Sequence, residues 1–239
     1  MKEYIKSDDF WSSISDLMSS LMIIFMFIAI SFMSQISKEK QTLTDIANEY
    51  KKVKLSIYQE LFNEFKTDLN EWNAYIDQET LSIKFREPDI FFEQGSSQLS
   101  NKFKEILDDF FPRYITILNS QKYSDEIEEV RIEGHTSTEW THNSSPIESY
   151  FKNMELSQDR TRSTLHYIME LNSMKRHESF MIEKVTANGL SYSKKIILNG
   201  REDKKLSRRV EFRIRTKAER KLDQILAKAN KESDKSEIN

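Results

Sequence analysis

The sequence predicts an α+β protein in three parts: a single N-terminal transmembrane helix, a helical connector of coiled-coil character, and a two-layer α/β sandwich. Three observations carry this. One apolar run of membrane length occupies Phe10–Met33, read as FWSSISDLMSSLMIIFMFIAISFM. A heptad-like apolar stripe follows it. From Glu79 onward, alternating segments interleave with amphipathic ones in the order strand, helix, strand, helix, strand, strand. The expected divisions are an N-terminal segment (1–9), the membrane helix (10–34), the helical linker (35–78), the sandwich (79–216) and a charged tail (217–239).

The apolar run holds no Lys or Arg and one acid, Asp16. A hydrocarbon core is spanned by about 20 apolar residues in helix, so the run is long enough. It is long for the apolar region of a signal peptide, and no A-x-A-like cleavage site follows Met33, so a retained signal anchor is expected. Lys2 and Lys6 precede it and Lys38 and Lys40 follow, so flanking charge does not set its direction. Asp16 has two readings. A carboxylate in a membrane helix is costly, usually faces protein or water, and often relays ions. Near a helix start, it can instead snorkel to the headgroups and cap the N-terminus. Ser13, Ser15, Ser19 and Ser20 around it suit close helix packing or hydration of the carboxylate.

Leu43, Ile46, Tyr50, Val53 and Ile57 alternate three- and four-residue steps, and the stripe drifts through Leu61, Phe65, Leu69 and Trp72 as a stutter would make it. A helix to about Ile76 follows. Its stripe would pair with a second copy or pack on its own domain. In the sandwich, Leu81, Ile83 and Phe85 mark a half-buried strand, and Phe91, Phe92 and Gly95 a loop. Leu99 to Leu118 reads as a helix interrupted or bent near Pro112. Val130 and Ile132 mark a second strand, Thr136 to Ser149 a long loop, and Met154 to Leu171 a helix with Leu156, Leu165, Ile168 and Leu171 inward. Ile182–Leu190 and Arg209–Thr216 are further strands. In the tail, Leu222, Ile225, Leu226 and Ala229 fit a short amphipathic helix before disordered last residues.

Bulk numbers exclude several functions. The 239 residues carry a net charge of -3, with Lys and Arg dispersed, which argues against a nucleic-acid partner. There is no cysteine, hence no disulfide or thiolate chemistry. Only 4 Gly and 3 Pro leave no flexible Gly/Pro linker. No Gly-rich phosphate loop and no Ser/His/Asp or Cys/His arrangement is visible, so no enzymatic activity is expected. His135, Glu139 and His142 form a weak metal set, and no metal or other cofactor is expected.

The segments GHTSTEW, NMELSQDRTRSTLHYI and LSRRVEFRI together resemble the OmpA/MotB-type peptidoglycan-binding domain, whose pattern runs G-H-T-D, N-x-x-L-S-x-x-R-A, N-R-R-V-E. The matches are Gly134, His135 and Thr136, then Asn153, Leu156, Ser157 and Arg160, then Arg208, Arg209, Val210 and Glu211, over about Leu81 to Thr216. The resemblance implies an OmpA-like fold and a site for the diaminopimelate group of a wall peptide, which carries a carboxylate and an ammonium. Arg160 would hold the carboxylate by a charge-assisted pair near a helix N-terminus. Asn153 and Thr136 would add neutral hydrogen bonds and Leu156 an apolar wall. Arg160 could instead be structural, tied to a carboxylate of the domain, as Arg209 is expected to be. Two departures stand out. Ser137 replaces the family's aspartate, and THNSSPIESYF lengthens the loop before Asn153. Glu139 or Glu148 are candidates to replace the lost charge.

The N-terminal segment is similar to the membrane helix of MotB-type stator subunits, through Trp11, Asp16-Leu17-Met18 and Leu21-Met22. SSISDLMSSLM followed by GHTSTEW resembles the ZorB family of Zorya anti-phage systems more than flagellar MotB, which more often carries Y-A-D-x-M-T and G-H-T-D. This implies a bacterial inner-membrane protein, N-terminus cytoplasmic and domain periplasmic, with protons carried by Asp16. It implies a homodimer inside a ring, expected to be a pentamer, of a ZorA- or MotA-like polytopic partner, with peptidoglycan as the anchor. Protons rather than sodium are expected because no oxygen-ligand cluster accompanies Asp16. Three functions stay open: a stator subunit for phage defence, a flagellar stator subunit, and an envelope anchor in which Asp16 has no ion role.

Overall fold

The computed structural model describes residues 7–86, 91–92, 96–139 and 144–237. Two compact units divide at Asn48/Glu49. The first helix, α1 (Ser7–Phe65), contributes to both. Its N-terminal part is apolar enough to cross a membrane, with a mean hydropathy of 2.2 over its best window and none of that window buried within the chain's own fold.

The second unit opens with the end of α1. Ile57, Leu61 and Phe65 are fully buried there, followed by Leu69 and Trp72 in the turns after the helix. Phe65 meets Phe110 at 5.3 Å and Trp72 at 5.8 Å. The later half of the predicted seam therefore packs on its own domain. The helix ends at Phe65 rather than near Ile76: turns follow over residues 66–73, Asn73 takes a left-handed φ of 50°, and Ala74–Asp77 becomes strand β1. The compact domain thus begins at Glu49, ahead of the expected boundary at Glu79.

The chain continues through β2 (Ser82–Arg86), α2 (Asn101–Leu118), β3 (Ile127–His135) and α3 (Pro146–Glu170). A 3-10 turn (Asn172–His177), α4 (Glu178–Lys184) and β4 (Val185–Gly189) follow. The hairpin β5 (Ile197–Leu198) and β6 (Arg201–Glu202), the short α5 (Lys204–Ser207), β7 (Arg209–Thr216) and α6 (Lys217–Glu237) complete it. The main sheet has the order β1-β2-β7-β3-β4. The β3–β4 pair is parallel, joined by the α3 crossover, and the other pairs are antiparallel.

Alternation sets the two faces of this sheet. Ile83 and Phe85, Val130 and Ile132, and Val210, Phe212 and Ile214 are buried on the helix-covered face. Ser100 caps α2 by accepting from the Phe103 N–H at 3.1 Å, and the helix passes through Pro112 as one element instead of breaking. Phe103, Ile106 and Leu107 before the proline and Tyr114, Ile115 and Leu118 after it are all buried, so packing outweighs the lost backbone bond. Phe110 reaches Phe212 at 5.1 Å and Phe85 at 5.2 Å, edge-on in both pairs.

Three elements differ from the sequence expectation. Ser145 and Pro146 start α3 eight residues before Met154, with the Ser145 hydroxyl accepting from the Glu148 N–H at 3.2 Å, which shortens the predicted loop. Ile182 to Lys184 belong to helix α4, whose Phe180 and Met181 anchor it, and the strand starts only at Val185. The tail forms a longer helix than expected, continuing through Glu237, with Ala218 buried and Arg215 paired to Asp223 at 3.0 Å.

The inward face of α3 is also not the one apolar periodicity indicates. Asn153, Ser157, Arg160, Thr161, Thr164 and Ile168 are buried, whereas Leu156, Leu165 and Leu171 are only half-buried. The cause is close approach. A Cβ added to Gly134 would lie 2.7 Å from the Ser157 carbonyl oxygen, and one on Gly189 would lie 2.3 Å from the Gln158 nitrogen. At that separation only small side chains fit under the helix.

Candidate functional site

The site lies where β3 ends and α3 begins. Leu190 N donates to the Gly134 carbonyl at 2.9 Å, and Thr136 N donates to the Ser191 carbonyl at 2.9 Å. These bonds extend the β3–β4 pairing into the loop and bury Thr136 and Ser137. The Thr136 hydroxyl is buried with no hydrogen-bond partner among the described residues. Thr138 donates to Glu202 through its backbone N–H, at 3.1 Å, and its hydroxyl.

Two positions on α3 face this loop and the one before α2. Asn153 is buried and donates through Nδ2 to the Ser149 carbonyl at 3.0 Å and to the Glu139 carbonyl at 3.5 Å, which ties the helix to the loop after β3. Two turns on, Arg160 donates through Nε to the Ser96 carbonyl at 3.0 Å, and its guanidinium lies 4.9 Å from the Phe92 ring centre. Phe92 pairs with Leu99 in an isolated antiparallel bridge. Cation–π contact and the carbonyl bond fix the guanidinium while leaving Arg160 at 8% exposure. Leu156 is half-buried on the flank.

The structure places Thr136 and Ser137 in the loop after β3, to which Asn153 bonds through the Glu139 carbonyl, and Arg160 two turns along α3 against the loop before α2, with Leu156 half-buried between them on α3. Phe92 and Ser96, which position Arg160, are additional members that motif matching did not single out. Their only signal is the Phe91–Phe92 pair in an otherwise polar loop. Such an arrangement suits a small zwitterion. A guanidinium can take its carboxylate, amide and hydroxyl groups can take its neutral parts, and the expected acid for its ammonium is replaced by buried Ser137.

Glu139 does not fill that gap. Its carboxylate pairs with Lys204 at 2.9 Å and Arg208 at 2.9 Å. The Lys204 ammonium, with Arg208, holds the Glu139 carboxyl below its ordinary 4.5, so its charge is matched within the domain. Glu148 sits exposed in the first turn of α3. His142 lies outside the described residues. The weak metal set is not assembled around Glu139, since His135 points instead to Glu133 and Glu211, at 3.5 Å from each. Burial pushes the His135 ring below its usual range, leaving it neutral. Arg209 is structural: it is buried, donating through Nε to Glu211 at 2.6 Å and through Nη1 to the Ser207 and Lys194 carbonyls.

Comparison with known proteins places these residues in a family. Residues 91–209 match the model of the OmpA family. The chain is 44% identical over 222 residues to the Zorya protein ZorB of Escherichia coli strain Crooks, covering 92% of this chain and 94% of that one. It is 24% identical over 213 residues to a second Zorya protein ZorB, from Escherichia coli O139:H28, covering 86% and 79%. Among solved structures, a MotB-like protein from Desulfovibrio vulgaris superposes with a TM-score of 0.48 at 18% identity, covering 71% of this chain and 98% of that one. A 44% identity to ZorB over nearly the full length of both chains, and an OmpA-family match that spans Thr136, Asn153 and Arg160, lead to one assignment: the chain belongs to the ZorB family.

Proposed function

We propose that this chain is the wall-anchored, proton-carrying subunit of an inner-membrane stator complex that acts in anti-phage defence. The observation that carries the reading is Asp16, the one acid in the apolar run Phe10–Met33 of a chain that also bears an OmpA-family domain. A carboxylate within such a helix is costly, and an ion-carrying role accounts for its presence.

In this reading the N-terminus is cytoplasmic and the domain periplasmic. Two copies pair through the membrane helix and the Leu43–Val53 stripe, inside a ring of a ZorA-type polytopic partner, expected to be a pentamer. Leu43 is exposed in the single chain and Ile46, Tyr50 and Val53 are only half-buried, which supports a further partner for that stripe. Asp16, shielded from water on one side by the ring, takes up a proton, loses its charge, and releases the proton on the other side. Proton flow turns the ring about the pair. Arg160, Asn153 and Thr136 hold the domain to peptidoglycan, which supplies the fixed reference that torque requires.

The test is proton flux through the complete complex in proteoliposomes under an imposed pH gradient. Wild-type complex should conduct once activated, and Asp16→Asn, which keeps the shape and removes the titrating group, should not. Equal flux in the two would mean that Asp16 has no ion role and that the chain is a passive tether.

A further inference from the structure

On the sheet face away from α2 and α3, the antiparallel β3–β7 register sets Glu133 directly opposite Glu211, and His135 opposite Arg209. His135 Nε2 lies 3.5 Å from Glu133 Oε2 and 3.5 Å from Glu211 Oε1, and the three candidate ligand atoms lie within 4.8 Å of one another. The side chains are 2%, 7% and 5% exposed. Both ring nitrogens of His135 lack a hydrogen-bond partner among the described residues. A buried imidazole aimed at two carboxylates without bonding either is expensive unless something joins them.

We propose that Glu133, His135 and Glu211 bind a divalent first-row transition cation of the zinc class, as a structural rivet between β3 and β7. An ion with tetrahedral bonds of about 2.0–2.1 Å holds its ligand atoms about 3.3–3.4 Å apart, close to both His135–carboxylate distances. Glu211 Oε1 also accepts from Arg209 Nε at 2.6 Å, and Ser82 donates to Glu211 Oε2 at 3.2 Å. An oxygen with two lone pairs serves both, and such bonds orient a ligating carboxylate. The fourth position falls to water. The rivet would sit one residue before Thr136, fixing the strand end from which the loop departs.

The experiment uses full-length protein in detergent, stripped with chelator and titrated with Zn2+ in a metal buffer, with Co2+ as the spectroscopic probe. One Zn2+ per chain and the intense visible bands of tetrahedral cobalt are expected. Glu133→Gln, close in shape, should weaken binding at least about tenfold. His166→Ala, which removes the exposed His166–Glu170 pair on α3, should leave it unchanged. No stoichiometric binding by the wild type, the weak bands of octahedral cobalt, undiminished affinity in folded Glu133→Gln, or loss of binding in His166→Ala would each overturn the assignment. Should Glu133→Gln fail to fold, the wild-type cobalt spectrum and the His166→Ala titration decide.

Discussion

At the residue scale the proposed wall contact rests on Arg160. Its stem is buried, its Nε is fixed on the Ser96 carbonyl, and its plane rests near Phe92. In the proposed role little rotamer freedom would be left to lose on binding a carboxylate. Arg160→Ala should cut co-sedimentation of the protein with peptidoglycan by about tenfold or more, as expected for a charge-assisted hydrogen bond of roughly 1.5–3 kcal/mol. Arg160→Lys keeps the charge and loses the fork, so it should restore only part of the binding. Sedimentation unchanged by either substitution would remove Arg160 from the site. The motif singles out Thr136, Ser137, Asn153, Leu156 and Arg160 as candidates, because their types and spacing sit on the sequence itself. The fate of Glu139 was not legible. Its partners Lys204 and Arg208 come from a distant hairpin and short helix that no local pattern relates to the loop.

Among the elements, α3 shows how packing can hide from periodicity. Its helix rests on β3 and β4 at Gly134 and Gly189, and the closeness of backbone to backbone requires a buried face of Ser, Thr and Asn. Hydrophobic spacing therefore pointed to Leu156 and Leu165, which lie on the flank. Gly189→Ala should destabilise the domain by about 1–3 kcal/mol or more, because the new methyl would meet the backbone of Gln158 at 2.3 Å. Urea unfolding monitored by circular dichroism measures this, and a loss below half a kcal/mol would mean that the helix shifts freely. Strands β2, β3 and β7 were legible by alternation. Strand β4 was blurred because α4 runs into it without a break.

The edge of the sheet offers a pH test. Lys84 pairs with Asp77 at 2.8 Å across β1 and β2. Burial opposes ionisation of Asp77, but Lys84 and the Thr80 and Glu79 N–H groups win and hold its carboxyl below the ordinary 3.8. For a depressed acid the unfolded chain binds the proton more readily, so the stability it contributes is present above about 3.8 and is lost as pH falls through the folded value. Asp77→Asn should therefore cost about 1–2 kcal/mol at pH 7 and progressively less below pH 4. A cost independent of pH would show that shape rather than charge matters there.

At the scale of the whole molecule, the chain divides near Asn48 between a membrane-length apolar helix and a domain that uses the end of α1 as core. The seam carried both roles in sequence, since a heptad-like stripe looks alike whether it meets a second copy or its own sheet. Only the later half finds its partner within the chain. A fragment starting at Glu49 should fold cooperatively. One starting at Glu79 loses Ile57, Leu61, Phe65 and Trp72 from the core, each worth about 1.5–3 kcal/mol, and should lack a thermal transition. Equal melting of the two would return the stripe to a linker.

In the proposed reading Asp16 powers a stator whose domain is held by the wall. Phage protection by the complete operon, with wild-type or Asp16→Asn protein at matched membrane levels and complex assembly verified, tests this. The assembled Asp16→Asn complex should lose protection. Full protection by that variant would leave a tether in place of an ion-driven motor.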